Sequence, residues 1–168
     1  KAGGAAVAPI GAAFPGTLAE DGGVDRQALA ATLLADGTAF KRLEAIVHPL
    51  VDAAERAFLH AKVAKGAEKA VLEIPLLFET GGEKRVDVTI VVSAPPDIQR
   101  QRVLERPGMT PEKFEQIVSR QVPDEEKRRR ADFVVDTSRT IPETEAQIDR
   151  IMAQLDGRTG TAFAEHWA

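Results

Sequence analysis

The chain has 168 residues, 43% of them hydrophobic and 29% charged, enough for a substantial core and ordinary for a globular protein. A net charge of −4 argues against a wholly basic nucleic-acid binder. The absence of cysteine excludes disulfides, thiolate metal sites and a cysteine nucleophile. No apolar run reaches the length of a membrane span and no signal peptide is visible, so the expectation is a cytoplasmic protein that binds neither membrane nor nucleic acid.

The chain begins as helix. "AAVAPIGAAF" has apolar residues at helical spacing, and "PGTLAEDGG" breaks it. Asp25 is positioned to cap the next helix, "RQALAATLLAD", which Gly37 closes. A third helix is expected from about Thr38 to Ala64. It runs through His48-Pro49, and Phe40, Leu43, Ile46, Val47, Leu50, Val51, Ala54 and Phe58 form its apolar face. Proline is normally excluded from a helix interior, so "HPLV" reads as a kink with a packed histidine or as a helix bent at a binding site.

The pattern then changes to short apolar runs: "KAVLEIPLLF", "VDVTIVVSAPP" and "ADFVVDTS". The helical segments "PDIQRQRVLER" and "TPEKFEQIVSRQ" separate the second from the third, and "PETEAQIDRIMAQL" follows. Near-continuous apolar strands alternating with helices predict an α/β fold, a three-layer parallel sheet with helices on both faces. Five regions are expected: a helical block at 1–65, core strands at 66–95, helices at 96–122, a strand and helix at 123–156, and a loosely ordered tail at 157–168.

Ligands of such sheets bind at the carboxyl ends of the strands. "EIPLLFE" puts Pro75, Leu76, Leu77 and Glu79 there, as a substrate-facing loop or as a solvated junction. Arg102 and Arg106 are spaced to share a helix face, and their planar forks suit phosphate oxygens. The plainer alternative is a solvated face paired with Glu105 and Glu112. "KRRR", Lys127 to Arg130, could neutralise phosphate, although Asp124, Glu125 and Glu126 offset it. His48, His60 and His166 lack metal spacing, so no metal site is expected. The P-loop pattern G-x-x-x-x-G-K-[ST] and the dinucleotide fingerprint G-x-G-x-x-G are both absent.

In order, "GGVDRQAL", "LEAIVHPLV", "IPLLFE", "QRQRVLERPGMTPEKFEQIVSRQ" and "EEKRRRADFVVDTSRT" resemble the dephospho-coenzyme A kinase family. The likeness runs from about Gly3 to Met152. It implies the P-loop kinase fold and transfer of the γ-phosphoryl of ATP, with Mg2+, to the ribose 3′-hydroxyl of dephospho-coenzyme A. It also implies lid arginines Arg102 and Arg106 as catalytic groups, Lys127 and Thr137 near the nucleotide, and Arg26, His48, Pro75, Leu76, Leu77 and Glu79 on the acceptor side. The family pattern opens with a strand, a P-loop and an aspartate segment that supplies the base. The expectation is that these precede Lys1, the sequence being a piece of an active kinase. Glu73 and Thr137 stand where the family often has Asp and Asn. The alternatives are a non-catalytic nucleotide- or coenzyme-binding module and a different small-molecule P-loop kinase.

Overall fold

The computed structural model describes Lys1–Ala168 and divides into two compact units, Lys1–Leu72 and Glu73–Ala168.

The first unit is helical: α1 (Val7–Ala13), α2 (Arg26–Ala35) and α3 (Ala39–Ala64). Its core is Ile10, Phe14, Leu29, Leu33 and Ala39, with Val24, Leu43, Ile46 and Val47 packed against it. As expected, the Asp25 carboxylate caps α2, accepting from the backbone N–H groups of Gln27 and Ala28 at 2.8 and 3.0 Å. Gly37 does not close α2; Asp36 is its C-cap and accepts from the Thr38 amide at 2.8 Å. Between α1 and α2 the chain doubles back through an antiparallel bridge, Leu18 to Val24. Thr17 is buried there and donates to the Phe14 carbonyl at 2.6 Å.

Helix α3 runs unbroken through Pro49. Its expected apolar stripe is only partly buried, and Leu59, outside that stripe, is buried in the second half. Leu43, Ile46 and Val47 pack, whereas Phe40, Val51 and Phe58 stay at least 40% exposed. His48 is exposed too, which corrects the expectation of a packed histidine.

The second unit contains β1 (Ile90–Ser93), α4 (Pro96–Leu104), α5 (Pro111–Val118), α6 (Asp124–Arg130), β2 (Phe133–Asp136) and α7 (Ile141–Gln154). β1 and β2 pair in parallel, Ile90 opposite Phe133 and Ser93 opposite Asp136. α6 packs on β1 and α7 on β2. The α/β class and the parallel pairing are as expected. The strand expected at "AVLEI" is not formed. Residues 71–74 are extended but join no sheet, and Val71 is 78% exposed. β-branched and apolar content favours an extended chain, but only a neighbouring backbone turns it into a strand. The sheet therefore has two strands. One side of β1 buries Val91 and Ser93, while Ile90 and Val92 on the other are exposed.

Side chains fix the start and end of this sheet. Asp132 Oδ2 accepts from the Thr89 amide at 2.8 Å and its hydroxyl at 2.9 Å, setting the register just before both strands. At the other end the Gln147 amide serves as a strand partner for Asp136. It accepts from the Asp136 N–H at 2.9 Å and donates to its carbonyl at 2.8 Å. Those edge groups are thereby satisfied without a third strand.

The tail is ordered, contrary to the sequence expectation. Asp87 Oδ1 accepts from the amides of Thr161 and Ala162 at 2.6 and 2.8 Å. Phe163–Trp167 forms a short wide helical turn. The Trp167 ring is 3% exposed, donates through Nε1 to the Arg85 carbonyl at 2.8 Å, and carries the Arg85 guanidinium 3.9 Å from its centroid. A buried indole whose N–H finds a partner outweighs the tail's polar composition.

Candidate active site

In the second unit, the carboxyl ends of β1 and β2 meet the start of α4 and the loop after β2. Thr137 is fixed at this junction. Its amide and hydroxyl both donate to the Ser93 carbonyl, at 2.9 and 3.1 Å. Arg102, in the last turn of α4, donates to the Thr137 hydroxyl at 3.3 Å and to its carbonyl at 2.7 Å. Two residues drawn from separate segments of sequence are thus brought together.

Arg102 and Arg106 do not share a helix face, which corrects the expectation from their spacing. α4 stops at Leu104, with Glu105 as C-cap. Arg106 precedes Pro107, and a residue before proline is driven out of the helical region. Its carbonyl accepts from the Met109 amide at 3.1 Å, and Gly108 takes a φ of +76° that favours glycine. The chain then enters α5 through Thr110, whose hydroxyl accepts from the Lys113 amide. Arg106 is exposed, and its guanidinium has no protein partner.

The segment Pro75–Glu79 is a run of turns closed by Thr80 N–H to Leu76 carbonyl (3.1 Å) and Gly82 N–H to Leu77 carbonyl (2.8 Å). Pro75 and Leu76 are exposed, Leu77 is half-buried and Phe78 is buried. Glu79 turns inward. Its Oε1 accepts from Lys127 Nζ at 2.9 Å and from the Val122 amide at 2.8 Å. Burial alone would push this carboxyl up. The hydrogen bonds from Lys127 and Val122 outweigh it and hold the carboxyl below the usual glutamate range.

The basic run is largely consumed inside the unit. Lys127 pairs with Glu79, Arg129 with Glu126 and Arg130 with Glu83. Arg130 also lies 4.6 Å from the Phe78 ring centroid. Arg128 remains exposed and, with Arg129, Asp124 and Glu125, lines an open hollow of about 760 Å3 beside Pro96. Two carboxylates balance two guanidinium groups there.

Arg26 and His48 belong to the first unit, both on exposed helix surface. Sequence reasoning missed Ser93, whose hydroxyl donates to Asp124 Oδ2 at 2.8 Å, and Asp132 and Gln147. Each pairs across more than ten positions of chain, so no local spacing betrays it. No cluster of three or more carboxylate or histidine groups converges on a common point. No helix is long and apolar enough to cross a membrane.

The sequence profile of the dephospho-CoA kinase family matches residues 1–143. The chain belongs to this family. A dephospho-CoA kinase of Rhizobium etli is 59% identical over 149 residues, 89% of this chain and 73% of the relative. That of Mesorhizobium japonicum is 54% identical over 158 residues, covering 94% and 80%. A crystal structure from Thermus thermophilus superposes with a TM-score of 0.68 at 34% identity, covering 89% of this chain and 76% of that one. A dephospho-CoA kinase from Campylobacter jejuni superposes at 0.59 and 22% identity, which speaks to the fold alone. The P-loop kinase fold expected from the resemblance is therefore the fold of this chain.

Proposed function

We propose that this dephospho-CoA kinase chain phosphorylates the ribose 3′-hydroxyl of dephospho-coenzyme A with ATP, in the cytoplasm. The bond from the γ-phosphorus to the β,γ-bridging oxygen breaks, and a bond to O3′ forms. ADP leaves, and the hydroxyl proton passes to a general base. Catalysis of this step is mostly positioning and charge stabilisation.

The observation that carries the reading is the contrast between the two arginines. Arg102 is tied to Thr137 at the strand ends, and Arg106, four residues on, presents a guanidinium with no protein partner. A free planar fork in the turn between α4 and α5 fits the developing charge on a transferring phosphoryl group. In this reading α4 and α5 form the lid, and Thr137 lies beside the nucleotide. Pro75, Leu76 and Leu77 line the acceptor wall, and Arg26 and His48 serve the helical acceptor block. Lys127 acts through Glu79 rather than on the nucleotide. The side chains present form no multi-carboxylate cage for Mg2+.

A coupled assay for ADP release tests the reading, with dephospho-coenzyme A, AMP and shikimate as acceptors. ATP- and dephospho-coenzyme A-dependent turnover is expected. Turnover on another acceptor alone would overturn it, and binding without turnover would favour a non-catalytic module.

A further inference from the structure

Glu79 joins three pieces of chain. It ends the turn segment Pro75–Glu79, it accepts from the amide of Val122, and it pairs with Lys127 in α6. Val122 lies between the end of α5 and the start of α6, where the chain of the two-helix segment returns to the body of the unit. The principal packing partner of α5 is α4, and α5 buries Phe114, so the return is held by this apolar contact together with individual polar bonds. Glu83, four residues after Glu79, pairs with Arg130, and Arg130 covers Phe78. The turn segment is thus fastened twice to α6. It is fastened to the return point by one bond, from Val122 to Glu79.

The chemistry of that bond suits a coupling element. The second oxygen of Glu79 is buried without a partner, as is that of Glu83. A carboxylate with one satisfied and one orphaned oxygen sits in a balance that a small shift of its loop upsets. Lys127 keeps the group charged, and a charged acceptor makes the stronger hydrogen bond to Val122.

We propose that Glu79 is a positioning residue that links the acceptor-side loop to the return hinge of the lid, so that acceptor contact with Pro75–Leu77 is passed through Glu79 to Val122. The proposal rests on the reading of 96–122 as the lid and of 75–77 as acceptor wall. The carboxylate touches neither substrate. It sets where the lid rejoins α6, and therefore how Arg106 is presented.

The test combines kinetics with hydrogen exchange on the intact protein, with and without dephospho-coenzyme A. In the unaltered enzyme, acceptor is expected to slow exchange across 105–122. Glu79→Ala should abolish that protection and lower kcat about tenfold, while KM for the acceptor stays within about threefold. Glu79→Gln keeps an acceptor oxygen for Val122 and should recover kcat to within about threefold of the unaltered enzyme. Val122→Pro removes the donor while also fixing φ at 122 and restricting Gln121, and should reproduce Glu79→Ala; it keeps the test decisive if the alanine variant does not fold. Acceptor-dependent protection and kcat unchanged in a folded Glu79→Ala or Val122→Pro enzyme would overturn the coupling alone. Failure of the unaltered protein to turn over dephospho-coenzyme A would overturn the functional reading, and this proposal with it.

Discussion

Arg102 holds Thr137 by two donors of one guanidinium, 3.3 Å to the hydroxyl and 2.7 Å to the carbonyl, while Thr137 is itself bound twice to Ser93. The end of α4 is thereby latched to the loop after β2. Arg102→Ala should cost about 1 kcal/mol of stability, because the pair is exposed and its net value modest. It should also raise KM for ATP. Arg106→Ala should leave stability within about 0.5 kcal/mol, since its side chain has no partner to lose. It should lower kcat at saturating substrate, the signature of an interaction made in the transition state. Thermal melts and steady-state kinetics on the two variants separate the roles, and equal effects on Tm and kcat from both would contradict the division.

Trp167 is the single tryptophan, so its emission reports tail docking without labels. Asp87→Ala removes the acceptor for two tail amides and should shift emission to the red with little change in far-UV circular dichroism. Gly160→Ala should do the same by a different route, because a Cβ there would overlap the Asp87 carboxylate. An unshifted spectrum in both variants would show that the indole is held by Arg85 alone.

Asp132 bonds both the amide and the hydroxyl of Thr89, a residue 6% exposed and 43 positions away. Asp132→Ala leaves those donors buried without a partner and should destabilise by about 2 kcal/mol. Thr89→Val combined with Asp132→Ala should cost less than the sum of the single changes, measured by denaturant unfolding.

The Glu79 carboxyl is held below its ordinary range despite burial, by Lys127 and the Val122 amide. A group with a lowered folded pKa contributes stability above its unfolded value and loses it as pH falls through the folded value. The stability gap between the unaltered protein and Glu79→Gln should therefore be full at neutral pH. It should close on acidification from the ordinary glutamate range downward. A gap independent of pH would mean that the ion pair with Lys127 contributes nothing through charge.

Pro49 gives up the bond its N–H would make to the Ala45 carbonyl, yet α3 continues past it. Pro49→Ala should raise stability by about 1–3 kcal/mol, checked by thermal melt. A fall would show that the ring itself packs usefully.

The sequence by itself determined the helices of the first unit, the Asp25 cap, two of the three strands and the family. These rest on local spacing and on ordered motifs, and "FVVD" or "RQALAATLLA" carries its period within one window. It also determined which residues were chemically able to act. Only the tertiary structure decided what those residues contact. Arg106 left the Arg102 face because Pro107 ends the helix first. Lys127 and Glu79, read separately as nucleotide and acceptor groups, neutralise each other across 48 positions of chain. "AVLEI" stayed unpaired because strand formation depends on a neighbouring backbone that no periodicity encodes. The tail, polar in composition, docked because one indole found both a cation and a carbonyl. Charge pairing and strand pairing are long-range, and a window of sequence shows only the groups available for them.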